Sequence, residues 1–247
     1  ELAAGGTLGW LLHGGGAGGS SPRRRRPREA SLRPPQRFLL ASDVAEGVAY
    51  LHAQVPPIIH RDLKNQNVVV MRSAHDGRLQ GAKLIDLGLA ERLAEGGEAE
   101  GEACAGAAPD NGCTLPEVRG SAGYMAPECL AKVPSKATSP VGPASDVWAL
   151  GCVLVEIFGG APPHTECGDS AEVTAKVLCR REPPDVPVHV DLAAGGTARD
   201  DKVRTLLQSC FVFEANGRPQ AGALQEELRS LAAARGLQLS PRGTSCE

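Results

Sequence analysis

Aromatic residues are scarce in this 247-residue chain, making up 3% of it. Ring stacking is therefore not expected to carry the core, which must rest on Leu, Val and Ala. A membrane-length apolar run is missing too. The longest, Val147 to Phe158, is interrupted by Glu156 and falls well short of the ~20 residues a bilayer needs. Nor is there an excess of charge of one sign. With 26 Lys and Arg against 29 Asp and Glu, the net charge is −3, which argues against nucleic acid or an anionic membrane surface as partner. The eight cysteines contain no Cys-x-x-Cys pair and no Cys/His cluster at zinc spacing. A disulfide framework, metal ligands and reduced buried thiols all remain open; reduced thiols are favoured, which points to a reducing, cytoplasmic compartment. Finally, there is no initiator Met, basic n-region or hydrophobic signal core, so the chain is expected to be truncated at its N-terminus.

What is abundant is Gly (30) and Pro (19), concentrated in two low-complexity stretches. The first, about 14–35, carries Gly14-Gly15-Gly16, the run Arg23 to Arg26 and Pro34-Pro35. It reads as a disordered loop. Its arginines fit a solvated basic loop better than a nuclear address or a phosphate-binding patch. The second, about 92–116, is acidic and rich in small residues. Between and beyond them the pattern is mostly helical. Leu40, Val44, Val48 and Leu51 mark one face of a helix over 36–54. Residues 68–71 and 82–85 read as a hairpin turning at Asp76-Gly77. Ser145 is the expected N-cap of a helix over 146–158 that is apolar on nearly all sides. Helices over about 170–181, 200–213 and 219–235 follow, the last stopped by Gly236. The hairpin is the one β element this pattern supports.

The loop before the hairpin reads His60-Arg61-Asp62-Leu63-Lys64-Asn65-Gln66-Asn67. Phosphoryl transfer from ATP has a loose, highly charged transition state, so its catalysis is positioning plus neutralisation. It needs a carboxylate to orient the attacking hydroxyl and take its proton, a cation for the γ-phosphate, and hard oxygen ligands for Mg²⁺. Asp62, Lys64 and Asn67 offer the base, the cation and one oxygen ligand within a single loop. Asp86, at the end of the next strand, offers the second ligand, and Gly88 lets the backbone turn beside it.

In this order the residues resemble the signatures of eukaryotic-type serine/threonine protein kinases, C-terminal lobe. His60 to Asn67 is similar to the catalytic loop, and Asp86-Leu87-Gly88 stands where the family has Asp-Phe-Gly. Leu87 is expected to keep the apolar plug. Gly120 to Glu128, with Ser121 inside it, resembles the end of the activation segment. Asp146-Val147-Trp148-Ala149-Leu150-Gly151 resembles the buried central helix, and Arg218-Pro219 the late arginine that pairs with Glu128. The resemblance implies Asp62 as base, Lys64 on the γ-phosphate, Asn67 and Asp86 on Mg²⁺, and Asp146 as a brace for the catalytic loop. Lys64 resembles the serine/threonine class. Met125-Ala126-Pro127-Glu128 and Cys210 with Arg218-Pro219 are similar to the tyrosine-kinase-like, Raf/MLK-related branch. Arg61 resembles the arginine that receives a phosphorylated activation loop, for which Thr114 is the candidate target of an upstream activating kinase.

Glu1 to Leu8 is similar to the hinge and the start of the first C-lobe helix. On that likeness Glu1 and Ala3 offer backbone groups to the adenine of ATP, and Val69 forms its apolar floor. A Gly-rich loop ahead of a Val-Ala-x-Lys strand is not found, so the N-lobe is expected to be missing. The expected fold is mainly α, a kinase-like C-lobe with a small β-hairpin. It comprises a partial kinase domain over 1–235 and a tail over 236–247. The expected function is ATP- and Mg²⁺-dependent phosphorylation of Ser/Thr in protein substrates. A non-catalytic kinase-like interaction module is the rival, and a small-molecule phosphotransferase of related fold ranks below both.

Overall fold

The structure is a computed structural model that describes residues 5–14, 32–93, 122–131, 142–159, 161–187 and 201–239. Most of both low-complexity stretches therefore lies outside the described residues, as do Glu1, Ala3, Arg23 to Arg26, Thr114 and Ser121.

Helix α1 spans Leu8–His13; the Thr7 hydroxyl accepts from the Trp10 amide at 3.2 Å and starts it, and Gly14 at φ 69° ends it. Helix α2 spans Pro34–His52, with proline in its first turn, where the missing N–H would go unpaired anyway. The stripe Leu40, Val44, Val48 and Leu51 is buried, joined by Phe38, Ala41 and Ala45. Strands β1 (Ile58–Ile59) and β4 (Glu91–Arg92) pair antiparallel. Strands β2 (Val68–Arg72) and β3 (Leu79–Leu84) form the hairpin, Val68 opposite Leu84 and Val70 opposite Ala82. A second ladder thus exists beside the hairpin; two-residue strands are too short to leave an alternating pattern. The hairpin's second strand ends at Leu84, and one further bond in the same register, from the Ile85 amide to the Asn67 carbonyl at 2.9 Å, ties the start of the next segment to the loop.

After α3 (Pro127–Leu130) comes the central helix α4, Pro143–Gly159, in which every residue from Ser145 to Phe158 is buried. It begins before Asp146, and Ser145 is no cap: its hydroxyl donates to the Gly142 carbonyl at 2.7 Å. Helix α5, Ser170–Thr174, is capped by Asp169 and widens into a π turn over Ala175–Cys179 rather than running on as one α-helix. Helices α6 (Asp201–Ser209) and α7 (Ala221–Ala233) complete the set, and α7 lies against α2.

The rings, though few, are placed together. Trp148 on α4 meets Phe211 and Phe213 edge-on at 5.2 and 5.5 Å, and Phe38 meets Phe158 at 5.3 Å. All four phenylalanines thus pack in two clusters around α4, a greater share of the core than composition suggests. Gly151 makes one cluster fit: a Cβ there would lie 2.5 Å from that of Cys210. The free cysteines among the described residues are Cys129, Cys152, Cys167, Cys179 and Cys210; two are buried, and Cys179 is exposed. No helix among the described residues is long and apolar enough to cross a membrane.

Candidate active site

The site is built where α4 meets the loop between β1 and β2. Ile59 and Leu63 are buried and pin that loop at both ends of its turn. The Asp146 carboxylate, 2% exposed, sits in the first turn of α4, where the helix dipole favours a negative charge. It accepts the backbone N–H of His60 at 2.7 Å through Oδ2 and that of Arg61 at 3.0 Å through Oδ1. His52 Nε2 lies 2.9 Å from Oδ2. A buried carboxylate needs such donors, and here they fix Arg61 in a left-handed conformation, φ 66°. The His60 ring is buried, its Nε2 3.3 Å from the Ile85 carbonyl.

Beyond that bend, Asp62, Lys64 and Asn67 converge. The Lys64 ammonium is 2.6 Å from Asp62 Oδ2. Asn67 Nδ2 donates to the same oxygen at 3.0 Å and to the Asp62 carbonyl at 2.8 Å. A single 3-10 turn over Asn65–Asn67 makes this geometry, swinging Asn67 back over Asp62 before β2 begins. The amide nitrogen of Asn67 is thus committed to Asp62.

Asp86 reaches the same end of the molecule through Ile85, whose backbone is tied to both Asn67 and His60. Asp86 has φ 65°, and its Oδ1 accepts the Gly88 amide at 3.3 Å, an Asx turn. Leu87 does not form a buried plug. It is 52% exposed, with Ile85 at 39% and Leu89 at 61%, because no described element packs over this strip. Val69 is half-buried on β2, and the segment Gly5–Thr7 runs antiparallel to it. The Val70 amide donates to the Gly6 carbonyl at 2.9 Å, and a Cβ on Gly5 would collide with the Val70 carbonyl.

Farther from the loop, the Arg218 side chain is fully buried and forked onto Glu128 at 2.6 and 2.8 Å. Its remaining N–H groups donate to the carbonyls of Ala144 (2.8 Å), Val212 (2.7 Å) and Phe213 (3.2 Å), and its plane lies 5.1 Å over the Trp148 ring. One arginine thereby joins Glu128 to the first turn of α4 and to the segment that follows α6. Arg61 points elsewhere, in an ion pair with Glu91 on β4.

Several members escaped the sequence reading. Glu156 on α4 is fully buried, and it receives the Tyr124 hydroxyl at 2.7 Å, Asn65 Nδ2, and His13 Nε2 at 2.6 Å. Burial first, and then Glu156, push the Tyr124 phenol well above its usual range. A glutamate on a helix buried on all sides was the available signal, since such a charge must be paired. Glu91 and His52 carried no sequence signal.

The protein kinase domain profile matches residues 18–228. The chain is 29% identical over 202 residues, 82% of its length, to mitogen-activated protein kinase kinase kinase 15 of Mus musculus. It is 35% identical over 147 residues, 59% of its length, to receptor-like protein kinase 5 of Arabidopsis thaliana. To serine/threonine-protein kinase WNK8 of Arabidopsis thaliana it is 27% identical over 187 residues, 76% of its length. The chain spans 12%, 12% and 26% of these relatives' own lengths.

Proposed function

The chain belongs to the protein kinase family, and from that premise we propose that it transfers the γ-phosphate of ATP to Ser/Thr hydroxyls of protein substrates. The observation that carries this reading is the convergence of Asp62, Lys64 and Asn67 within hydrogen-bond distance on a loop braced by Asp146. Asp62 is the base: its carboxylate, 13% exposed, orients the substrate hydroxyl and accepts its proton. Lys64 holds positive charge where the transferring phosphoryl group passes. The donor set fits Mg²⁺. Asn67, its nitrogen taken by Asp62, keeps its amide oxygen as a donor, and Asp86 is an exposed carboxylate, both hard ligands. Bound there, Mg²⁺ would neutralise phosphate charge. Val69 forms the adenine floor, with Glu1 and Ala3 contributing backbone groups.

We further read the described part as the C-terminal lobe of the domain over 1–235, in the tyrosine-kinase-like branch, with 236–247 as a tail. The exposed strip Ile85, Leu87 and Leu89 beside Asp86 supports this, since a second lobe would cover it and bury Leu87. Kinase-cascade relatives support an upstream activating kinase as partner. Its target would be Thr114, with Arg61 receiving the phosphate in competition with Glu91. The cytoplasm is the proposed location, and the Arg23 to Arg26 run also fits a nuclear address.

The test is transfer of labelled γ-phosphate to a generic protein substrate by the full gene product. Asp62→Asn is expected to lower the rate by about 10²–10⁴-fold. Equal labelling by both forms would remove Asp62 as the base. The same exposed strip favours one rival, a non-catalytic interaction module. That reading predicts no transfer by either form and partner binding abolished by Leu87→Asp.

A further inference from the structure

Away from this site, the loop between α4 and α5 gathers His164, Glu166 and Cys167, whose ligating atoms lie within 4.8 Å of one another. The His164 side chain is 1% exposed, yet neither ring nitrogen has a hydrogen-bond partner. Burying an imidazole with both nitrogens unpaired is unfavourable. Glu166 Oε1 is 3.7 Å from Nδ1, too far for a hydrogen bond. Cys167 Sγ stands 3.9 Å from the same oxygen. Tetrahedral zinc, with bonds of about 2.1 Å to N or O and about 2.3 Å to S, holds its ligands roughly 3.4–3.6 Å apart. The N···O and S···O separations are therefore within a few tenths of an ångström of a coordination shell, and the N···S separation lies within 4.8 Å. The N···O separation is too long for a direct hydrogen bond, and the S···O contact is at most a weak thiol hydrogen bond.

The Lys176 ammonium forms an ion pair with Glu166. That pair accounts for the position of the carboxylate but gives the imidazole nothing. The backbone enforces the cluster: His164 is held at φ 55°, and the Cys167 amide closes the turn onto its carbonyl at 3.1 Å.

We propose that His164, Glu166 and Cys167 form a zinc site, with water as the fourth ligand. Nitrogen, sulfur and carboxylate oxygen together suit Zn²⁺ better than Mg²⁺ or Ca²⁺. Binding replaces the Cys167 S–H bond with an S–Zn bond and releases the proton to solvent. Lys176 competes for Glu166, so it weakens the site. The site's role is structural. The adjoining Pro163 carbonyl lies close under Gly123, where a Cβ would come within 3.2 Å of it. Zinc therefore stiffens the shelf beneath the turn at Ala122–Tyr124.

The test titrates the chelator-stripped full chain with Zn²⁺ against a chromophoric competitor, and loads it with Co²⁺ for absorption spectroscopy. The expected result is one tight equivalent and a thiolate-to-cobalt charge-transfer band. Cys167→Ser, at a half-exposed position that leaves the fold intact, abolishes the band and weakens binding by at least about tenfold. Lys176→Met tightens binding, and zinc raises the thermal midpoint of the wild type but not of Cys167→Ser. Equal binding by wild type and Cys167→Ser overturns the proposal. So does loss of the tight equivalent in Cys179→Ser with retention in Cys167→Ser.

Discussion

Replacing Asp146 with Asn removes one charge and leaves the shape of the side chain unchanged. In the wild type the two carboxylate oxygens each take one backbone N–H of the catalytic loop, at 2.7 and 3.0 Å, and Oδ2 also meets His52. An amide has one oxygen. It can serve His60 or Arg61, and its NH₂ then faces the other N–H, donor against donor. One charge-assisted bond of about 1.5–3 kcal/mol is lost and the other weakened. Relaxation of Arg61 from its left-handed conformation returns part of this, out of the roughly 1–3 kcal/mol such residues store. The expected net loss is about 2–4 kcal/mol. A domain of ordinary stability, about 5–15 kcal/mol, stays folded. Urea unfolding measures the global loss. Amide hydrogen exchange at His60 and Arg61 measures the local one, which should accelerate by roughly 30- to 1000-fold. A global loss below about 0.5 kcal/mol, with those two amides exchanging at the wild-type rate, would refute the assignment of Asp146 as the brace.

Arg218→Met strands Glu128 without its partner and should cost about 3–5 kcal/mol. A double-mutant cycle with Glu128→Gln in urea unfolding should show strong coupling, and additive losses would contradict the geometry. Burial pushes the Cys129 thiol up to about 11 and the Cys210 thiol up to about 12. Raised values mean thiol rather than thiolate at pH 8, so brief iodoacetamide treatment followed by mass spectrometry should modify exposed Cys179 and spare Cys210 and Cys152. Gly151→Ala sets two effects against each other. Helix propensity favours alanine by about 1 kcal/mol, whereas the collision with Cys210 and Phe211 should cost about 1–3 kcal/mol. Net destabilisation is expected, and a more stable variant would show that the contact relaxes freely.

Periodicity located α2, the hairpin and the all-round burial of α4, because those signals are local and repeat over several turns. It misjudged ends and short pieces. Ser145 looks like a cap by residue type, but a cap depends on where the chain turns, and the helix already begins at Pro143, which puts the cap position three residues earlier at Gly142. The β1–β4 ladder joins two-residue strands far apart in the chain, so it has no period to read. Leu87 for Phe kept the residue apolar; only the surroundings decide whether an apolar side chain is buried, and here it is exposed.

The sequence by itself determined the chemistry on offer. The order of acid, amine and amide from Asp62 to Asn67, with Asp86 after the next strand, is a covalent fact. Tertiary structure decided which of these groups meet and what holds them. Asp146 comes from 85 and 86 residues away to brace the loop, Glu156 collects Tyr124, Asn65 and His13, and His164 is left buried with unpaired nitrogens beside Cys167. The reason is physical. A charge or an imidazole inside a protein is tolerated according to its partners, and those partners are set by packing across the chain rather than by spacing along it.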